Sequence, residues 1–256
     1  AGVAPEELDI IILGTSSPDR NYPSDACSVQ AAIGAVNAVA FDISAACAGF
    51  IFAMNIVEGF FKAGIYKTAL IIGAETLSKV TDWSDRGTCV LFGDGAGAAV
   101  LKAEETGIID MMMGADGTKG DVLACTSRTV GNFLTGTKPE LGFMTMDGQE
   151  VFKFAVRKVP ESVLELLNRT GTKKEDIKYY VLHQANERII EAAARRLKEP
   201  MEKFPMTIGQ FGNTSTASIP LLLDDMIQKD MLKRGDKIIM SGFGAGMTWG
   251  AVLMEW

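Results

Sequence analysis

Short apolar runs alternate along the chain with longer segments in which apolar residues recur at helical spacing. The runs predict strands at Ile10–Leu13, Val36–Ile43, Thr68–Gly73, Ala98–Leu101, near Gly107–Met113, and at Tyr179–Leu182, Lys237–Met240 and Trp249–Met254. The helical segments are Ala46–Lys62, Val151–Asn168, Ala185–Leu197 and Ser215–Ile227. This alternation is typical of layered α/β proteins. Because the segment Ala46–Lys62 is apolar on nearly every side, we expect it to be buried between layers.

An internal repeat divides this pattern into two similar halves. The spacing Gly-x-x-x-Glu-x-Leu-x-Ile-Ile-Ile-Leu at residues 2–13 returns at 171–182 as Gly-x-x-x-Glu-x-Ile-x-Tyr-Tyr-Val-Leu. Small-residue helix starts (44–47 and 214–217) and glycine turns that lead into strands (92–101 and 243–253) follow in both halves. We therefore predict two packed α/β units, 1–105 and 106–256. A strand and a helix precede the repeat in the second half only, so we expect the first unit to lack its opening strand and helix.

Composition and charge restrict the class of function. The 256 residues are 47% hydrophobic and 22% charged, which is typical of a globular protein. The net charge of −7 argues against a nucleic-acid partner, since nucleic-acid binders present basic surfaces. Apolar runs are far shorter than the roughly 20 residues that span a bilayer, and no secretion signal is recognisable, so we expect no membrane contact. Four cysteines without a Cys-x-x-Cys pair and a single histidine favour a reduced, cytoplasmic protein with no metal site.

Cys47 is the strongest candidate nucleophile. It lies where a predicted strand ends and the apolar helix begins, among small residues that leave space for a substrate atom. Because the positive end of a helix dipole and its unpaired N–H groups favour thiolate, we predict a lowered pKa for this thiol. The alternative is a small buried hydrophobic residue, and we interpret Cys27, Cys89 and Cys125 in that way.

Two polar residues of the second half are candidate partners of Cys47. His183 follows a predicted strand, where α/β proteins place chemistry, although a structural histidine fits the same position. Asn213 precedes a helix, where asparagine is also an ordinary cap. The repeat places Cys47 and Asn213 at corresponding helix starts, and a two-fold arrangement of the halves would bring these starts together.

Two glycine turns are further candidates for binding. The backbone N–H groups of residues 244–246 are suited to face a reacting carbonyl oxygen. The turn Gly93–Gly97 leads into a strand, so it lacks the helix dipole that a phosphate-binding loop uses. We interpret that second turn as backbone geometry alone.

Four sequence blocks together resemble the signature of the ketoacyl-acyl-carrier-protein synthase III family, within the thiolase superfamily. They are Ser-Ala-Ala-Cys-Ala-Gly-Phe at 44–50, His-Gln-Ala-Asn at 183–186, Gly-Asn-Thr-Ser at 212–215 and Gly-Phe-Gly-Ala-Gly-Met-Thr-Trp-Gly at 242–250. The resemblance covers essentially the whole chain. It implies a thiolase-like fold with two similar halves in an αβαβα arrangement. Members of the family normally begin with a strand and helix, the segment that the repeat indicates is missing.

The resemblance implies a condensing enzyme that initiates fatty acid biosynthesis with a triad of Cys47, His183 and Asn213. Cys47 would take the acyl group of a short acyl-coenzyme A, with acetyl-coenzyme A the expected donor and no permanently bound cofactor. Malonyl-acyl carrier protein would then lose carbon dioxide while His183 and Asn213 donate hydrogen bonds to its thioester oxygen. The carbanion would attack the acyl group, giving 3-oxoacyl-acyl carrier protein, with coenzyme A and carbon dioxide released. The backbone N–H groups of Cys47 and Ala245 would form the oxyanion hole.

The resemblance also implies binding surfaces for the partners. The positions that match the coenzyme A entrance are Arg86, Phe152, Asn186 and Arg188. Tyr22 matches a loop that reaches the acyl pocket of a partner subunit, which implies a homodimer. A candidate basic patch for the acidic acyl carrier protein consists of Lys153, Arg157, Arg188, Arg195 and Arg196. The alternative for these residues is an ordinary solvated surface charge, and for Tyr22 an ordinary turn.

Two other interpretations stay open on the sequence. A first half without its opening strand would expose a sheet edge and part of the core, which favours an inactive or partner-binding product. Another enzyme of the same fold, such as a hydroxymethylglutaryl-coenzyme A or polyketide-type synthase, is the second. Elongating ketoacyl synthases are disfavoured, because they use two histidines and this chain has one. The acyl-chain preference depends on pocket shape, which the sequence does not give.

Overall fold

The computed structural model describes all residues, 1–256, as ten strands and six α-helices. The strands are β1 (Ile10–Gly14), β2 (Val39–Ile43), β3 (Thr68–Glu75), β4 (Gly95–Lys102), β5 (Ile108–Ala115), β6 (Leu123–Cys125), β7 (Met144–Met146), β8 (Ile177–Leu182), β9 (Lys237–Gly244) and β10 (Thr248–Glu255). The helices are α1 (Asp25–Ile33), α2 (Gly49–Lys62), α3 (Gly148–Thr170), α4 (Glu187–Leu197), α5 (Ile208–Phe211) and α6 (Ser218–Gln228). None of the helices combines the length and apolarity that spanning a bilayer requires.

Two four-stranded sheets form the framework. The first has the strand order β2-β1-β3-β4 and the second the order β5-β10-β9-β8. In each sheet a parallel pair, β1 with β3 or β8 with β9, is extended by an antiparallel strand, β4 or β10. β5 pairs with the outer edge of β10, whereas β4 is the edge strand of the first sheet. The first sheet is built from residues before 105 and the second from residues after 106. The division into units 1–105 and 106–256 stays a prediction compatible with this arrangement.

The alternation of side chains along β1 shows how the layers form. Ile10 and Ile12 belong to a core cluster that includes α2, α6 and strands of both sheets. Ile11 and Leu13 point to the other face, where they pack with the α1 residue Ala26. A third cluster joins α3 and α4 to the outer face of the second sheet. The order of layers is therefore α1, first sheet, α2 with α6, second sheet, α3 with α4, as an αβαβα fold requires. The predicted burial of the apolar helix is confirmed, since α2 contributes six fully buried residues.

The structure corrects several predicted element boundaries. β2 begins at Val39 and not at Val36. β4 already begins at Gly95, so most of the predicted turn 93–97 belongs to a strand. α4 begins at Glu187, because the side chain of Asn186 caps it. Helix α1 was not predicted, and its sequence explains why: only one of its nine residues, Ala26, is buried, so the apolar pattern is weak.

The repeat is visible in the backbone around the starts of α2 and α6. A 3-10 turn precedes each helix, Ala46–Ala48 before α2 and Ser215–Ala217 before α6. The first residue of each turn, Ala46 or Ser215, has a left-handed backbone with φ of 46° or 51°. Gly2 and Gly171 have the same separation as Ala46 and Ser215, so the counterpart of Cys47 is Thr216. The predicted correspondence of Cys47 with Asn213 is wrong at the level of positions, although both residues do lie at helix starts.

Candidate active site

A mostly hydrophobic cavity of about 130 Å³ lies between the two halves. Cys47 reaches it from the start of α2, His183 from the end of β8 and Asn213 from the segment before α6. Phe92, Phe243 and Ile189 contribute to its apolar wall. The structure thus brings the three predicted catalytic residues to one partly open cavity, and their roles stay a proposal.

The backbone around Cys47 is held in place by a close approach of β9. A Cβ atom on Gly244 would lie 2.6 Å from the backbone nitrogen of Cys47 and 3.0 Å from the Ala46 side chain. Side chains do not pack at such distances, so only glycine fits at this position. The Thr248 hydroxyl lies 3.1 Å from the Ala45 carbonyl oxygen and 3.0 Å from that of Ala245. These contacts fix the turn of Cys47 against the β9–β10 hairpin.

The Cys47 thiol is protonated in this environment. Burial raises the pKa of Cys47 to about 12, the polar side chain of Ser215 opposes this shift, and the charge of Glu75 adds to it. Our prediction of a lowered pKa is therefore wrong. The physical reason is that removal of the thiolate from water outweighs the stabilisation that the polar groups at the helix start provide.

His183 is buried and neutral. Burial lowers the pKa of this imidazole to about 3. Its Nδ1 lies 2.6 Å from the Ser218 hydroxyl, which also accepts a hydrogen bond from the Gln184 N–H at 3.3 Å. The Ser218 hydroxyl has no acceptor within hydrogen-bond distance other than Nδ1, so its single hydrogen is donated to that nitrogen of His183. Nε2 then carries the ring proton, so it is a hydrogen-bond donor.

Ser218 is a site residue that the sequence interpretation missed. It stands in the first turn of α6, and the helix residues that follow it, from Ile219 to Leu223, are all apolar. A buried hydroxyl in the first turn of an apolar helix was the available signal, but it follows three other buried hydroxyl residues and does not stand out among them. Its significance depended on the contact with His183, which lies 35 residues away in sequence.

The Asn213 side chain also presents a donor. Its Oδ1 accepts the Ser215 N–H at 2.9 Å, and its backbone is tied to the Leu91 carbonyl oxygen and the Gly93 N–H, each at 2.9 Å. With Oδ1 engaged, the Nδ2 group is available to the cavity. Asn213 and His183 therefore each offer an N–H donor group to the cavity that Cys47 also lines.

Comparison with known proteins identifies the family. Beta-ketoacyl-[acyl-carrier-protein] synthase III of Clostridium acetobutylicum is 51% identical over 258 residues, covering 100% of this chain and 79% of the relative. The chain belongs to the 3-oxoacyl-[acyl-carrier-protein] synthase III family. The model of that family matches residues 41–117, and the model of its C-terminal part matches 167–256. A synthase III of Clostridium novyi is 52% identical, with 100% of this chain and 80% of the relative covered.

A solved structure of the family confirms the predicted thiolase-like fold. The crystal structure of 3-oxoacyl-[acyl-carrier-protein] synthase III from Aquifex aeolicus VF5 superimposes with a TM-score of 0.92 at 46% identity. The superposition covers 100% of this chain and 80% of that one. The alternatives of a hydroxymethylglutaryl-coenzyme A or polyketide-type synthase and of a non-enzymatic product are not favoured by these relatives.

The predicted coenzyme A residues of this synthase III divide into two groups. Phe152 and Asn186 line the cavity that contains Cys47. Arg86 and Arg188 are exposed and do not line it. Arg86 precedes Gly87, which lines a wider, more open groove together with Asp147. The arginines therefore lie outside the enclosed part of the site.

Part of the predicted basic patch is paired with acidic side chains of the same chain. Ion pairs within the chain engage three of its members: Lys153 with Glu150 (2.8 Å), Arg195 with Glu191 (3.6 Å) and Arg196 with Glu161 (3.9 Å). Arg157 and Arg188 are exposed and form no ion pair. These two residues retain charge for an acidic partner.

Tyr22 lies away from the cavity, whereas Ala245 lies beside the turn of Cys47. Tyr22 is 85% exposed in the loop before α1 and does not line the cavity. Ala245 follows Gly244 directly, and no carbonyl oxygen of the chain accepts its N–H. The free N–H of Ala245 therefore lies one residue after Gly244, whose backbone packs against the Cys47 nitrogen.

Proposed function

We propose that this condensing acyltransferase of the synthase III family starts fatty acid synthesis with Cys47 as the acyl acceptor. The observation that carries the proposal is the shared cavity, in which the Cys47 thiol meets the N–H donors of His183 and Asn213. The apolar wall excludes water, which strengthens these hydrogen bonds and protects a thioester from hydrolysis. No cofactor takes part, and acyl-coenzyme A is a substrate.

In the first half-reaction the acyl group moves from coenzyme A to Cys47. The sulfur of Cys47 bonds to the acyl carbonyl carbon, and the bond from that carbon to the coenzyme A sulfur breaks. The thiol proton of Cys47 passes to the departing coenzyme A thiolate, because neutral His183 already carries a proton on Nε2. The N–H groups of Cys47 and Ala245 stabilise the carbonyl oxygen as it becomes negative.

In the second half-reaction malonyl-acyl carrier protein condenses with the acyl group. Cleavage of its carboxyl group releases carbon dioxide and leaves an enolate, whose oxygen accepts hydrogen bonds from His183 Nε2 and Asn213 Nδ2. The enolate carbon bonds to the acyl carbonyl carbon, and the Cys47 thiolate leaves and takes a proton from solvent. A neutral histidine suits this role, since it donates a hydrogen bond without giving up its proton.

The partners of the reaction are proposed from charge and exposure. Acyl carrier protein docks on the patch around Arg157 and Arg188, whose charges are free, with Lys153, Arg195 and Arg196 at its margin. The coenzyme A chain enters past Phe152 and Asn186, with Arg86 and Arg188 outside. Exposure of Tyr22 supports a homodimer in which this side chain meets the acyl pocket of the other subunit. Four free cysteines support a reduced, cytoplasmic setting.

The mass of the intact protein after incubation with acetyl-coenzyme A tests the acyl acceptor. We expect a single acetyl adduct on the parent chain and none on Cys47→Ala, because the thiol is the only proposed nucleophile in the cavity. Cys89→Ala serves as the control, since Cys89 does not line the cavity and its loss leaves the adduct unchanged. A folded parent chain that gains no adduct, or an adduct that survives in Cys47→Ala, contradicts the proposal.

A further inference from the structure

Glu75 is a buried carboxyl group whose hydrogen-bond partners are all neutral. It ends β3 and is 5% exposed. Its Oε2 accepts hydrogen bonds from the Thr15 hydroxyl (3.3 Å), the Ser16 N–H (3.0 Å) and the Ser17 hydroxyl (2.6 Å). Its Oε1 lies 3.2 Å from the Thr216 hydroxyl. Burial of a carboxyl group without a neighbouring cation costs free energy of folding, which indicates that Glu75 serves a function at this position.

Thr216 connects Glu75 to the turn that carries Cys47. Its hydroxyl lies 2.6 Å from the carbonyl oxygen of Ala46, the residue that precedes Cys47. Ala46 has the left-handed backbone, which costs energy in a residue other than glycine unless its surroundings hold it. The hydrogen bond to its carbonyl oxygen is such a restraint. The single hydroxyl hydrogen of Thr216 is shared between two acceptors, mainly the Ala46 carbonyl oxygen at 2.6 Å and more weakly Glu75 Oε1 at 3.2 Å, so one hydroxyl joins Glu75 to the peptide before the nucleophile.

Three glycines of the first half leave a socket for Thr216. A Cβ on Gly14, at the end of β1, would lie 2.7 Å from Thr216 Cγ2. One on Gly49, at the start of α2, would lie 2.9 Å from Thr216 Oγ1, and one on Gly73, in β3, 2.4 Å from Thr216 O. Three separate elements thus exclude side chains at one residue of the other half. Such a fit fixes the Thr216 hydroxyl in position.

The internal repeat relates Glu75 and Thr216 to two residues of the candidate active site. Thr216 is the counterpart of Cys47, and by the same separation Glu75 is the counterpart of Gly244. At Gly244 the backbone meets the turn of Cys47 directly and carries no side chain, whereas the Glu75 carboxyl group reaches the side chain of Thr216. At the position related to Cys47 by the repeat, the chain therefore has a threonine that is hydrogen-bonded within the protein.

We propose that Glu75 and Thr216 are a positioning pair, which holds the Ala46 carbonyl and so aims the Cys47 thiol and N–H into the cavity. The inference rests on the proposed function, in which Cys47 receives the acyl group. Neither residue lines the cavity, so they act through the turn and not on the substrate. The charge of Glu75 adds to burial in raising the pKa of Cys47, which gives the pair a measurable influence on the thiol.

Two isosteric variants test the pair, Thr216→Val and Glu75→Gln. We expect Thr216→Val to slow acetylation of Cys47 by acetyl-coenzyme A roughly fivefold, the effect of one lost hydrogen bond, with an unchanged KM. We expect Glu75→Gln to shift the pH profile of Cys47 alkylation by iodoacetamide to lower pH, because a negative charge near the thiolate is removed. A purely structural role would not move this profile.

Two threonine variants are the matched controls. Thr216→Ser keeps the hydroxyl and is expected to restore acetylation. Thr214→Val removes a buried hydroxyl that has no hydrogen-bond partner, so it is expected to change neither readout. The proposal is overturned if Thr216→Val is acetylated as fast as the parent chain and the alkylation profile of Glu75→Gln is the same as that of the parent. If Thr216→Val does not fold, the profile of Glu75→Gln decides alone.

The design separates this inference from the proposed function. Alkylation by iodoacetamide reports on the Cys47 thiol without any acyl-coenzyme A. A parent chain that is alkylated at Cys47 but never acetylated contradicts the proposed function, while the shift of the alkylation profile in Glu75→Gln still tests the positioning pair.

Discussion

The state of His183 follows from what surrounds each of its ring nitrogens. Nδ1 faces the Ser218 hydroxyl, and burial keeps the ring neutral well below physiological pH. The same burial keeps the Cys47 thiol protonated, although a residue at a helix start is usually expected to ionise more easily. At this scale the charge of a side chain depends on its burial more than on its position in an element.

Replacement of Ser218 by alanine tests the assigned ring proton. Without the hydroxyl, Nδ1 has no donor and the proton is free to move from Nε2, so we expect malonyl decarboxylation to slow about tenfold. Acetylation of Cys47 should be unaffected, because it does not use the Nε2 donor. The two half-reactions are measured separately, by carbon dioxide release and by intact mass.

Ser162→Ala is the control for that variant. Ser162 is also a buried serine in a helix, and its hydroxyl donates to the Lys158 carbonyl oxygen away from the cavity. Equal decarboxylation rates in Ser218→Ala and the parent would contradict the assignment, as would an equal loss in both half-reactions.

At the scale of elements, β9 and the turn before α2 form one unit. The backbone of Gly242 and Gly244 packs directly against that turn, with a Cβ on Gly242 placed 3.3 Å from the Cys47 carbonyl oxygen. Packing therefore requires a glycine at position 244 and leaves little room at 242, while the N–H of Ala245 has no backbone acceptor. The site depends on contact between elements from opposite halves.

Gly244→Ala is predicted to disrupt this contact. The added Cβ would meet the Cys47 nitrogen, so we expect the unfolding free energy to fall by roughly 1–3 kcal/mol and acetylation to be lost. Thermal denaturation and intact mass measure the two effects. Gly59→Ala, in α2 with no atom near its Cβ position, should be neutral or stabilising and fully active. A stable, active Gly244→Ala would show that the turn has room to move.

At the scale of the whole molecule, a chain of net charge −7 is proposed to receive an acidic carrier protein. Local positive charge must then outweigh the overall repulsion, and ion pairs within α3 and α4 reduce the number of free cations there. Arg157 and Arg188 are left to supply the attraction. Because the attraction is electrostatic, it should weaken as salt is added.

Charge reversal of the two free arginines tests this surface. We expect Arg157→Glu and Arg188→Glu each to raise the KM for malonyl-acyl carrier protein several-fold at low salt and to reduce its salt dependence. Lys102→Glu makes the same change of charge at the end of β4 and should leave the KM unaltered. Equal effects at all three positions would assign the result to net charge and not to a docking surface.

The fold class and the residues of the candidate site could be predicted from sequence, since both leave patterns among residues that are close together in the chain. The spacing of apolar residues predicted nearly all the main strands and long helices. This works because the side chains on the buried face of a strand or helix recur with that element's period and are apolar. The repeat and the four sequence blocks indicated Cys47, His183 and Asn213. Element ends and α1 were less predictable, because caps such as Asn186 and weakly apolar helices leave little pattern.

The remaining features arise only from tertiary contacts. Burial determines the pKa of Cys47, a residue 35 positions away orients His183, and ion pairs between side chains decide which arginines are free. The contact between Glu75 and Thr216 joins residues 141 positions apart. The sequence determines which residues can form each strand and helix. Desolvation and hydrogen bonding act between these elements, so the protonation of Cys47 and His183 is decided only when the layers are packed together.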